Sequence, residues 1–252
     1  MDCLFLNQMD IKPATAPRLP IKHLKWEQLI PIIGSAREAL GRFDETLKKT
    51  KPQRLKALKN KEARAFLQGK DSQQITLAEK GLDFAIQWTK EKPLNLEFLC
   101  RLHAIVKQDG PNPEEIGRLR KRQNWIGPEG RPINEAYFFP PEAKKVPGHM
   151  RALFRYLHKK EKDPLVQLAI FFAQLLIIHP FMDGNGRVAR IFIPVWAWKR
   201  GLLCKPALFL NCYFERNRLQ YFRKLFEVSE EGAWEGWIQY FLKGIIEQSQ
   251  EF

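Results

Sequence analysis

From Trp26 to Leu47 the apolar residues Leu29, Ile32, Ile33, Ala36, Ala39, Leu40, Phe43 and Leu47 recur at intervals of three and four. That spacing lines one face of a helix. The same period runs through residues 55–67, 75–88 and 94–106 and predicts three more helices. It breaks over Arg122–Pro141, where Gly127, Pro128, Gly130, Pro132, Pro140 and Pro141 punctuate Trp125, Ile126, Tyr137 and Phe138. This stretch predicts a β-hairpin or structured loop. Helical spacing returns from Ala143 to Leu157, and Leu165–Ile178 is apolar almost throughout, with Pro164 suited to its first turn. That helix is predicted to stop at His179, because the residue before a proline disfavours helical dihedrals. Further helices are predicted from about Arg187 to Lys199, closed by Gly201, and around Arg216–Val228 and Trp234–Ile246. Pro13, Pro17 and Pro20 make residues 1–20 an extended arm. The pattern as a whole predicts an all-α domain with one small β element.

Composition narrows the class. A chain of 252 residues with 44% hydrophobic and 28% charged residues can bury a sizeable core, as one large domain or a domain with a small extension. No apolar run reaches the ~18 residues that cross a bilayer, and the start MDCLFLNQMDIKP lacks the pattern of a secretory signal. Cys3, Cys100, Cys204 and Cys212 form no CxxC pair, which fits free thiols and a cytoplasmic location. The net charge of +14 raises nucleic acid as a partner. Its lysines and arginines, however, are scattered among apolar positions as on a solvated helix face. Trp196, Trp198, Trp234 and Trp237 fall in apolar-periodic segments, where core packing is the default. An anionic nucleotide or an acidic protein surface accounts for the charge equally well.

The chemistry concentrates in His179–Arg190, which reads HPFMDGNGRVAR. Gly184, Asn185 and Gly186 can turn backbone N–H groups inward as an anion nest, at the N-terminus of the helix expected from about Arg187. Arg187 and Arg190 are three apart and share a helix face toward phosphate. Asp183 offers a hard oxygen to a magnesium ion, and His179 can accept a proton near neutral pH. A plain turn between helices, with a buried histidine and two surface arginines, is the bland alternative. Base, carboxylate, nest and paired arginines within twelve residues outweigh it.

The segment resembles the Fic family signature HPFx[DE]GNGRxxR at every fixed position. Gly117, Arg120, Gln123, Trp125, Ile126 and Gly127 match the family's GxxRxxQxWIG, and Phe139, Pro140 and Pro141 resemble the end of its substrate-aligning flap. Similarity continues into Gly201-Leu202-Leu203 and YFERNRLQYF, and upstream into LPIKHLKW and KEARA. The resemblance implies a helical bundle with a β-hairpin flap, divided into an N-terminal helical extension over 21–92 and a catalytic core over 93–252. It also implies a protein adenylyltransferase that moves AMP from ATP onto a Ser, Thr or Tyr hydroxyl of an unidentified target protein. His179 would be the base and Asp183 the Mg2+ ligand. Gly184, Asn185, Gly186 and Arg187 would hold phosphates, and Arg190 would grip the γ-phosphate. Ile126, Gly127, Tyr137, Phe138 and Phe139 would align the target. Gly186 separates the chain from members resembling the toxin Doc, which carry lysine there and transfer phosphate. Transfer of phosphate, UMP or phosphocholine, and a binding module without catalysis, are the alternatives.

One departure stands out. Many members carry an inhibitory [ST]xxxE helix whose glutamate pairs with the last motif arginine. Here Lys61, Glu62, Ala63 and Ala65 match the start of that stretch, but Phe66 replaces the serine and Lys70 the glutamate. The expectation is a chain without this brake; an acid from elsewhere, such as Glu62 or a partner chain, is the alternative. A winged-helix domain found after the core in many relatives is not expected before Phe252, which argues against nucleic acid. A homodimer stays open as a partner state, as does delivery to a host cytosol.

Overall fold

The computed structural model describes residues 13–67, 72–108, 110–127 and 133–251. These hold α1 (Trp26–Lys49), α2 (Pro52–Leu67), α3 (Ser72–Glu91), α4 (Leu96–Val106), α5 (Val146–Leu157), α6 (Pro164–Ile178), α7 (Asn185–Lys199), α8 (Asn211–Arg216), α9 (Arg218–Glu231) and α10 (Trp234–Gln250). The all-α expectation holds. Among the described residues, no helix is long and apolar enough to cross a membrane.

α6 is the axis of the bundle. Every residue from Leu165 to Ile178 is buried, as expected of a helix apolar on all sides, and α5, α7, α9 and α10 pack around it. Its start is fixed by Asp163, whose Oδ1 accepts the N–H groups of Leu165 at 2.7 Å and Val166 at 3.1 Å. The same carboxylate accepts from Arg37 of α1 at 2.6 Å through its other oxygen. Phe171 stacks on Phe192 of α7 with centroids 4.3 Å apart, and Phe172 meets Phe214, Trp237 and Phe241. The Trp237 indole donates to the Ala169 carbonyl at 2.8 Å, so the large ring is buried with its polar atom satisfied. α1 lies along α10, while α3 packs on α4 and α7.

Four expected elements differ. The helix expected around 216–228 is two helices, α8 and α9, broken at Asn217. α8 is started by a distant group: the Glu62 carboxylate accepts the N–H groups of Asn211 at 2.7 Å and Cys212 at 3.1 Å. The segment from Ala143 opens with a 3₁₀ turn, and α5 proper begins at Val146, beside Pro147, which has no N–H to give. α7 begins at Asn185, two residues before the expected Arg187. The expected hairpin is reduced, among the described residues, to one antiparallel bridge between Ile126 and Phe138 and a 3₁₀ turn at Ile133–Glu135. Pro140 and Pro141 follow Phe138 closely, and prolines donate nothing to a ladder.

The arm, described from Pro13, has no helix. The Ala14 N–H donates to the Phe139 carbonyl at 2.8 Å, and Gln174 of α6 donates to the Pro17 carbonyl at 2.7 Å. Phe172→Ala is expected to lower unfolding free energy by about 3–5 kcal/mol, against about 0.5 kcal/mol or less for Phe222→Ala on the exposed side of α9. Urea denaturation of both variants checks the contrast; equal losses would contradict the placement of the core.

Candidate active site

The site begins where α6 ends. His179 adopts φ 49°, ψ 62°, the left-handed region, and is the one non-glycine residue with positive φ among those described. Such a residue needs surroundings that over-determine it. Arg120 supplies them: its Nε donates to the His179 carbonyl at 2.8 Å, and its backbone N–H donates to the Pro180 carbonyl at 2.9 Å. The same guanidinium reaches the carbonyls of Ile178 at 3.4 Å and Arg122 at 3.3 Å, and that of Pro141 at the flap root. Burial pushes Arg120 down to about 10, still a cation at neutral pH.

The His179 Nδ1 lies 3.2 Å from the Leu176 carbonyl. A carbonyl only accepts, so this network assigns the proton to Nδ1 and leaves Nε2 with a free lone pair. The imidazole is lowered to about 4, chiefly by burial; the Leu176 carbonyl and the Asp183 charge oppose that and the Arg120 charge adds to it. His179 is therefore neutral at pH 7 and able to take a proton.

The following loop is held by neutral polar groups. Asn185 Oδ1 accepts the Phe181 N–H at 2.9 Å, and its Nδ2 donates to the Phe181 carbonyl at 2.8 Å. Asn124 donates to that carbonyl at 3.0 Å. His103 stacks on the Phe181 ring at 4.0 Å, accepts the Gly117 N–H at Nδ1 (2.8 Å) and donates from Nε2 to the Asp183 carbonyl (3.0 Å). It too is lowered to about 4, first by burial. Gly184 then turns at φ 76° into α7. The first helical bond there runs from Val188 N–H to the Gly184 carbonyl at 3.1 Å, so the N–H groups of Asn185, Gly186 and Arg187 have no partner within the helix. With the helix dipole, they offer a candidate anion seat a few residues along the chain from His179. Gly184 and Gly186 thus sit at the cap and first turn of α7, while the Asn185 amide is committed to the Phe181 backbone.

Charged groups surround that seat. The exposed Asp183 carboxylate takes Lys107 Nζ at 2.6 Å and the Gly184 N–H at 2.6 Å, with Arg187 at 3.7 Å. Desolvation by the surrounding protein pushes its pKa up, but Lys107, the Gly184 N–H and Arg187 outweigh this and hold it below the usual carboxylate range. Arg187 also donates to the Val106 carbonyl at 2.9 Å. Arg190 pairs with Glu215 at 2.9 Å and lies over the rings of Phe214 and Tyr221. A cavity of about 50 Å³ touches Arg187, Arg190, Lys59, Glu62 and Asn211. An acid of this chain therefore does reach Arg190, and it is Glu215 rather than Glu62, whose carboxylate caps α8. Lys70 lies outside the described residues; Phe66 belongs to α2, and its side chain lies outside them.

At the flap, Ile126 and Phe138 exchange backbone hydrogen bonds of 2.9 and 3.1 Å. A Cβ on Gly127 would stand 3.2 Å from the Ala136 Cα, so glycine permits the close approach of the two segments. Tyr137 is exposed and Phe139 half-buried. Among the described residues, no three His, Cys, Asp or Glu side chains cluster as a metal cage. Asp183 alone, with phosphate oxygens and water, fits the way magnesium is commonly held. His103, Lys107, Asn124 and Glu215 were not singled out from sequence for the site. The only advance signal was His103, a polar residue on the apolar face formed by Leu99, Leu102 and Val106.

Residues 93–197 match the family model described as Fic/DOC family. Over that segment the chain is similar to the Fic family. It is 39% identical over 99 residues to the "Probable protein adenylyltransferase" of Aquifex aeolicus, covering 39% of this chain and 28% of that protein. Protein adenylyltransferase fic-1 of Caenorhabditis elegans is 26% identical over 48% of this chain and 24% of its own length. A uridine 5′-monophosphate transferase of Xanthomonas campestris is 26% identical over 55% of this chain and 27% of its own length. The chain thus matches about a quarter of the length of these relatives. The crystal structure of a Fic family protein from Desulfovibrio desulfuricans shares the fold, with TM-score 0.73 at 18% identity, over 92% of this chain and 75% of that one.

Both lowered histidines carry a stability consequence. Between pH 6.5 and about 4 the unfolded chain takes up protons that folded His103 and His179 refuse. The stability they hold at neutral pH is therefore lost as pH falls through that window. For His103 the expected loss is roughly 3 kcal/mol. Urea midpoints at pH 7.5, 6 and 5 should fall in that order, less steeply in His103→Gln; identical slopes would contradict the assignment.

Proposed function

We propose that this chain is a Fic family protein adenylyltransferase that transfers AMP from ATP to a Ser, Thr or Tyr hydroxyl of another protein. The observation that carries the reading is a neutral His179, with Nε2 free, a short loop away from the N–H groups that open α7 without helical partners. The relatives named as protein adenylyltransferases support it. A target hydroxyl held against Nε2 gives up its proton as its oxygen bonds the α-phosphorus. The bond to the bridging oxygen breaks, and pyrophosphate leaves. The N–H groups of Asn185, Gly186 and Arg187 would receive the phosphates, with the Arg187 guanidinium against the developing charge. Asp183 would hold Mg2+, which supplies charge neutralisation between phosphates when bound. Ile126, Gly127, Tyr137, Phe138 and Phe139 would line up the target segment. UMP remains the second donor to test, because the Xanthomonas campestris relative is named for UMP transfer.

For Arg190 to reach a γ-phosphate it must exchange its Glu215 partner. Wild type given ATP labelled at the α-phosphate, with lysate as target, is expected to label protein, and His179→Ala to lower the rate about 10²–10⁴-fold. Label only from the γ-position would replace AMP transfer by phosphate transfer; label only from UTP would make UMP the donor. Glu215→Gln removes the competing charge and is expected to raise labelling by about an order of magnitude. A decrease would mean that Glu215 supports Arg190 rather than restraining it.

A further inference from the structure

Lys107 follows directly on α4, its backbone N–H bonded to the His103 carbonyl at 3.0 Å. Its stem crosses Gly184 so closely that a Cβ there would stand 2.8 Å from Lys107 Cγ. At the end of that stem the ammonium sits 2.6 Å from Asp183 Oδ2, with the lysine side chain 15% exposed and the aspartate 70% exposed. Ordering a lysine this far sacrifices much of its rotamer freedom, and the tight passage over Gly184 prevents it from swinging like a surface lysine. The other groups facing the carboxylate are the Gly184 N–H on Oδ1 at 2.6 Å and Arg187 at 3.7 Å. Asp183 therefore meets positive charge or N–H donors on both oxygens before any metal arrives.

We propose that Lys107 sets the metal affinity of the site by competing with a divalent cation for Asp183. A cation on this carboxylate stands within a few ångströms of the ammonium, and like charges at that separation disfavour each other. The nucleotide-free protein then binds the ion weakly. Phosphates seated at the start of α7 give the ammonium a second anionic partner, so ion and nucleotide enter together. That last step rests on the function proposed above, whereas the competition itself rests only on the Lys107–Asp183 pair. Lys107 is thus a positioning residue that acts through Asp183.

Mn2+ titration of the nucleotide-free protein, followed by loss of the free-ion EPR signal, tests the competition directly. Lys107→Met keeps the stem over Gly184 and removes the charge; it is expected to bind Mn2+ roughly tenfold more tightly than wild type. Lys107→Arg restores a cation and should return affinity to the wild-type range, and Asp183→Asn should abolish the tight site in the Lys107→Met background. Lys107→Gln serves as a second neutral variant if the methionine protein does not fold, with melting temperature as the control. Equal or weaker Mn2+ binding in the folded neutral variants overturns the proposal. Repeating the titration with a non-hydrolysable ATP analogue should narrow the gap between wild type and Lys107→Met, and an unchanged gap contradicts the joint entry. Absence of protein labelling by ATP would sink AMP transfer, yet the nucleotide-free titration would still decide the role of Lys107.

Discussion

A helix that ends in a protein interior leaves its last carbonyls without intrahelical partners, and α6 ends inside this bundle. The buried Arg120 guanidinium answers that need, accepting burial because its donors find the carbonyls of Ile178, His179, Arg122 and Pro141. A cation at a helix C-terminus is also favoured by the helix dipole. The same side chain joins the turn that presents His179 to the root of the flap. The proposed base and the proposed target-aligning segment are thus referenced to one rigid group.

Around that anchor, the loop from Pro180 to Gly184 is fixed by groups whose hydrogen bonds are used on backbone. Asn185 and Asn124 hold the Phe181 peptide, while His103 bridges Gly117 and Asp183 and stacks on the Phe181 ring. Neutral histidine suits this work, because a buried imidazolium would have to be desolvated. What the loop leaves unpaired is the set of N–H groups at the start of α7. Preorganised donors of this kind need no rearrangement to receive charge.

The cations behave differently. In the ligand-free protein Lys107 rests on Asp183, Arg187 on the Val106 carbonyl and Arg190 on Glu215. On the proposed function, positive charge meant for phosphate is thus held against local acceptors that an arriving anion would displace. Backbone supplies the fixed part of the seat and side chains the exchangeable part.

Local signals were enough for much of this architecture. The apolar run of α6, the stop at His179–Pro180, the amphipathic face of α1 and the compact HPFMDGNGRVAR segment all lie within short stretches, where periodicity and steric rules act directly. The reduced flap and the break at Asn217 were not legible in the same way. Prolines limited the first, and Glu62, 149 residues from Asn211, started the helix that made the second. The same holds for the groups that complete the site: Lys107 meets Asp183 across 76 residues, and Arg120 meets His179 across 59. Sequence by itself determined the long helices such as α1 and α6 and which residue types gather in the motif, because neighbours along the chain decide those. Only the tertiary structure decided which acid faces Arg190, which cation faces Asp183 and which nitrogen of His179 is free, because those depend on partners that packing alone brings within hydrogen-bonding distance.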